Sequence, residues 1–169
     1  MRTTKELAGL AVIDVRDGKK LGTVSETVVS PDDGRLLGFV LKSGGMLSRE
    51  ESAVEIDDVR SIGADAITVE GEEIIHRPEA TQPSFQEARN GDRALVGRKI
   101  VTQNGTVVGQ VADLVVNEES RRVGSILIGG GMFESSDAIP AARVVSVGPD
   151  VVIVTDEGVP DETVGPFET

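Results

Sequence analysis

Few residues in this sequence have the types and spacing that catalysis needs. The one imidazole is His76, in Ile75-His76-Arg77-Pro78. A metal site or a nucleophile–base relay requires convergent partners; the surrounding sequence supplies none, so His76 reads as an exposed linker or strand-end residue. The acid pairs Asp32-Asp33, Asp57-Asp58 and Glu118-Glu119 could offer oxygen ligands to a hard cation, but none has the glycine and terminal glutamate spacing of a calcium loop. They read as solvated turn carboxylates. The run Gly129-Gly130-Gly131 invites comparison with a phosphate loop, yet no Gly-Lys-Ser/Thr follows and no helix opens there for a phosphate to cap. It reads as a turn or bulge. The chain has no cysteine, which removes disulfides, thiolate metal sites and cysteine nucleophiles together. The expectation is a protein that is not an enzyme and carries no cofactor or metal. A carboxylate- and metal-dependent enzyme is the least favoured alternative, because it needs acids from separate segments to cluster.

The elements that hold these residues come from an internal repeat. The segment Leu7 to Val69 superposes on Leu95 to Val154 with three one-residue gaps. The offset is 88 at Gly9 and Gly97 (97 minus 9), 87 at Gly22 and Gly109, 86 at Gly38 and Gly124, and 85 at Gly63 and Gly148. Matched landmarks include Val24 with Val111, Glu26 with Asp113, Val28-Val29 with Val115-Val116, and Val40-Leu41 with Ile126-Leu127. Gly44-Gly45-Met46-Leu47 matches Gly130-Gly131-Met132-Phe133. Within a copy, short β-branched runs alternate with turn residues, the pattern of an all-β sandwich or barrel. The first copy predicts strands near Ala11–Val15, Leu21–Ser30, Leu36–Lys42, Ser52–Ile56, Val59–Ile62 and Ala66–Val69. Arg16-Asp17-Gly18-Lys19 and Pro31-Asp32-Asp33-Gly34 carry hairpin chemistry, as does Asn104-Gly105 in the second copy. Closing so small a sheet into a barrel limits its open edges. The fold class is therefore all-β, two tandem small barrels of about six strands each, related by duplication. The units are residues 1–71 and 94–157, joined by a polar, proline-marked linker over 72–93, in which Ile74-Ile75 could extend the last strand. An acidic flexible tail follows over 158–169.

Composition limits function. Four Phe and no Trp or Tyr leave little to stack on bases, and a net charge of −12 opposes phosphate backbones. Direct nucleic-acid binding is not expected; a basic protein partner fits the charge. No apolar run approaches the roughly 18 residues of a membrane span, and the N-terminus lacks secretory signal features. A cytoplasmic location is expected, and homo-oligomerisation stays open.

The order of these motifs resembles a known family. An apolar-x-Gly entry, a glycine turn, Leu21-Gly22-Thr23-Val24-Ser25-Glu26-Thr27-Val28, then Gly44-Gly45 with a large apolar residue and a short Val-or-Ile-Pro-like strand resemble the PRC-barrel family. That family includes the cytoplasmic domain of the photosynthetic reaction-centre H subunit and the second domain of a ribosome-maturation factor. The resemblance implies a six-stranded barrel that holds a protein partner as a non-catalytic adaptor or scaffold. The alternative it raises is a ribosome-assembly or RNA-metabolism accessory factor acting through a basic protein. It places the family's strand-two acid on Glu26 and Asp113, its glycine-pair loop on Gly44-Gly45 and Gly130-Gly131, and its proline on Pro140, where the first copy has Glu55. Ile128 takes the place of Lys42, so the two barrels are expected to present different surfaces. Met46, Leu47, Met132 and Phe133, just past the glycine loops, are either barrel plugs or exposed anchors for the partner.

Overall fold

The computed structural model of the chain describes residues 1–43, 50–90, 94–129, 137–156 and 167. After a two-residue strand β1 (Arg2–Thr3) and a one-turn helix α1 (Thr4–Leu7), the first repeat forms β2 (Ala11–Asp14), β3 (Lys20–Val29), β4 (Leu36–Ser43), β5 (Glu50–Glu55), β6 (Val59–Ile62) and β7 (Ala66–Val69). Helix α2 (Pro83–Asn90) precedes the second repeat, which forms β8 (Lys99–Thr102), β9 (Val107–Asn117), β10 (Arg122–Gly129), β11 (Ala138–Pro140), β12 (Val144–Val147) and β13 (Val151–Val154). The first sheet runs β5-β4-β3-β2-β7-β6 and the second β11-β10-β9-β8-β13-β12, the same order shifted by six strands. In each, the first and last strands of the repeat pair parallel, β2 with β7 and β8 with β13. A 3-10 turn, Ile56–Asp58 or Ala141–Arg143, joins the two end strands of each sheet. This is the architecture the duplication predicts.

Alternation explains the cores. In β2, β7 and β13, every second residue is buried, which a pleated strand does when one face meets the interior. Val12, Phe39, Leu41, Val54 and Ile67 fill the first barrel, and Ile100, Ile126, Ile128, Ile139 and Val152 fill the second.

The bulges repeat as well, and they correct the sequence alignment. Register shifts fall between Val28/Val29 in the first copy and between Val123/Ser125 in the second. Val28 pairs with Gly38, and Val115, 87 positions on, pairs with Ser125, also 87 positions on (125 minus 38). The offset therefore stays at 87 through β4 and β10 and becomes 85 at Ala53 and Ala138 (138 minus 53), which pair with Val40 and Leu127. The two-residue difference lies wholly between β4 and β5. Gly38 is thus the counterpart of Ser125, and Gly124 that of the bulge residue Leu37. Ile128 matches Leu41, both buried, and Lys42 matches Gly129. The counterpart of Lys42 is therefore Gly129 and not Ile128, so the second copy does lack the charge at this position, but through a glycine at the end of β10.

The two barrels share a seam with internal twofold symmetry. Leu36 donates its N–H to the Arg121 carbonyl at 3.0 Å, and Val123 donates to the Gly34 carbonyl at 2.9 Å. Each pair maps on the other at an offset of 87 (121 minus 34, 123 minus 36), so the contact is isologous, as in a twofold dimer. Arg121 is the one described non-glycine residue with positive φ, at 57°, opposite Gly34 at 71°; both turn the chain through the left-handed region at the seam. Cores are exchanged too. Val29 of the first repeat packs in the second barrel's cluster, and Val116 of the second packs in the first barrel's.

The connector is polar in sequence but takes defined structure. Ile74 ends a 3-10 turn, Glu72–Ile74, and does not extend β7. The chain instead crosses to the opposite edge, where His76 and Ala53 exchange backbone hydrogen bonds of 3.0 and 2.7 Å. Phe85 of α2, 1% exposed, then seats against Val28, Val40 and Ala53.

Candidate interaction surface

Glu26 and Asp113 occupy equivalent places on β3 and β9 but have different surroundings. Asp113 is 4% exposed and receives the Thr4 hydroxyl, the Lys5 N–H at 3.2 Å and its neighbour Leu114 N–H at 2.7 Å. It thereby holds the first turn of α1, whose orphan N–H groups and positive dipole end favour a carboxylate. Thr3 and Glu6 complete a capping box on that same turn. Glu26 is 45% exposed and accepts from Arg89 Nε at 3.3 Å. The relation is reciprocal in kind, since each acid holds the segment that enters the other barrel.

Arg89 also donates to Glu51 at 2.7 Å. Burial lowers its pKa, but the two carboxylates outweigh that and raise it above its ordinary value. Together with the His76 bridge, the Phe85 seat and a bond from Gln82 N–H to Glu55 at 3.0 Å, this ion pair fastens the connector across the outer face of β3, β4 and β5. Gly38 lies beneath the Phe85 ring; a Cβ there would approach the ring at 2.9 Å and the Val54 carbonyl at 2.1 Å. No sequence signal revealed this face, because the helix that covers it is separated in the chain from β3, β4 and β5 by β6 and β7.

A groove of about 790 Å³ opens between the barrels, lined by Arg2, Arg60, Ile62, Glu118, Glu119 and Arg121 among others. Its arginines are engaged. Arg2 bonds Glu118 at 2.7 Å and the carbonyls of Gly63 and Ala64, Arg60 pairs with Glu70, and Arg121 donates to the carbonyls of Ile56 and Val59 at 2.9 and 2.8 Å. Glu118, read from sequence as a solvated turn carboxylate, is 18% exposed and also receives the N-terminal ammonium at 3.0 Å. Burial pushes its carboxyl up, but the Arg2 guanidinium, its own backbone N–H and the ammonium bring it down to about 2.

Asp14, missed in the sequence, is 2% exposed. The Arg16 backbone N–H above all, then the Gly71 N–H and the Arg16 guanidinium, hold its carboxyl below the usual range against burial. His76 is exposed, with its backbone in the edge bridge. Pro140 is exposed at the end of β11, opposite Ser125 as Glu55 is opposite Gly38. Gly44, Gly45, Met46, Leu47, Gly130, Gly131, Met132 and Phe133 lie outside the described residues, as does the tail except Phe167, whose ring is buried against Gly34. Among the described residues, no three metal-capable side chains converge.

Two sheets of one topology, built from a duplicated sequence and joined by an isologous seam, define a tandem small-barrel protein. The family model for the PRC-barrel domain matches residues 1–74 and 89–158, so the chain belongs to the PRC-barrel family, with two tandem domains. No curated protein matches it. No helix among the described residues is long and apolar enough to cross a membrane.

Proposed function

We propose that this protein is a non-catalytic adaptor that holds protein segments on the outer faces of its barrels. The observation that carries the reading is the connector. The first barrel already binds a peptide of its own chain through backbone pairing at an edge, an aromatic seat and an ion pair, which is how sheet edges recognise extended partners. The net charge of −12 would speed encounter with a basic partner and disfavour nucleic acid. A cytoplasmic location belongs to this reading. The test is capture from native lysate with and without nuclease, followed by reconstitution with the purified captured protein. A stoichiometric partner that survives nuclease and rebinds directly supports the adaptor. Capture that depends on RNA, or submicromolar binding of duplex nucleic acid near physiological salt, would favour an RNA-metabolism role instead.

A further inference from the structure

On the first barrel, the connector covers Val28, Val40 and Ala53, all at most 2% exposed. Their register counterparts on the second barrel are Val115, Leu127 and Ala138. Val115 and Leu127 are half-buried and Ala138 is exposed, and no described residue takes the place of His76 on the β11 edge. The two faces differ in three respects that define what fits. Pro140 replaces Glu55, which removes the carboxylate that accepts the Gln82 N–H. Asp113 replaces Glu26 but is committed to Thr4 and Lys5, so it offers no exposed carboxylate for an arginine. Ser125 replaces Gly38, which puts a side chain where the first barrel leaves room for a phenyl ring.

We propose that the outer face of β9, β10 and β11 binds an extended segment of a partner protein, with its backbone paired to the β11 edge and an aliphatic side chain resting on Val115 and Leu127. Recognition is by backbone hydrogen bonds and apolar contact rather than charge, so binding changes little with salt. The inference deepens the adaptor reading and rests on it. The occupied face of the first barrel is its template within the same molecule.

The probes are a peptide of the connector sequence, Ile74 to Asn90, and the same peptide with Phe85→Leu. Each is titrated into the isotope-labelled full chain and followed by NMR. The leucine peptide is expected to shift Val115, Leu127 and Ala138 saturably, with a Kd of about 1 mM or tighter, as befits a few net hydrogen bonds and one apolar anchor. In a Ser125→Gly chain, the preference should move toward the phenylalanine peptide by about tenfold. Absence of shifts at these three residues with either peptide overturns the proposal, yet leaves the adaptor reading standing if a captured partner binds elsewhere. Shifts there that depend on protein concentration without peptide would assign the face to a second copy. Broadening of Ala138 by a spin label at Glu162→Cys before peptide is added would assign it to the chain's own C-terminal segment. Either result also overturns the proposal.

Discussion

At the residue scale, equivalence in the repeat does not fix energetic weight. Asp113 and Glu26 descend from one position, yet only Asp113 is buried with donors from another segment aimed at it. Replacing Asp113 with Ala strands the Thr4 hydroxyl and the Lys5 N–H, so urea unfolding should show a loss of about 1–3 kcal/mol. Glu26→Ala breaks an exposed ion pair and should cost no more than about 1 kcal/mol. Glu118 makes a pH prediction. Its folded carboxyl titrates at about 2 against an ordinary 4.5, so the proton binds the unfolded chain more readily. The stabilisation is complete above 4.5 and is lost as pH falls from there toward 2. For this partly exposed group it should be on the order of 1 kcal/mol, and Glu118→Gln should flatten the stability profile across that window.

At the element scale, α2 is the least evident piece of the sequence. Its eight residues begin at Pro83, a proline suited to the first turn, and only Phe85 among them is buried. One aromatic anchor on a foreign sheet gives no periodic signal. Phe85→Ala should cost about 3 kcal/mol in thermal or denaturant unfolding and speed hydrogen exchange at Ala53, whose N–H bonds the His76 carbonyl. Unchanged protection at Ala53 would mean that the edge bridge holds without the helix. The sheet bulges belong to this scale as well. Because each recurs in the second copy, strand register is a surer guide to equivalence than residue identity.

At the scale of the whole molecule, the seam couples the barrels. Val116 belongs to the second repeat but is fully buried in the first barrel's core, and Val29 does the converse. Backbone bonds across the Gly34 and Arg121 turns, and β1 paired with β9 through Thr3 and Val115, add to the shared contact. The full chain should therefore unfold in one cooperative calorimetric transition. Val116→Ala should lower its stability by about 2 kcal/mol without splitting that transition. Two separate transitions, with only one moved by the substitution, would show the barrels to be independent.

The sequence by itself determined the duplication, the strands and the barrel class. Those rest on alternation and turn chemistry, which act over a few residues and are written twice in the chain. The first-copy strands predicted near Leu21–Ser30 and Leu36–Lys42 are observed as Lys20–Val29 and Leu36–Ser43. Tertiary structure alone decided that Ile128 stands in for Leu41, that Arg121 takes the left-handed turn Gly34 takes, and that the connector is bound to a sheet edge. It also decided that one repeated acid is buried and the other exposed. Each outcome depends on contacts between residues far apart in the chain, where what a side chain meets is set by the opposing barrel and not by its neighbours in sequence.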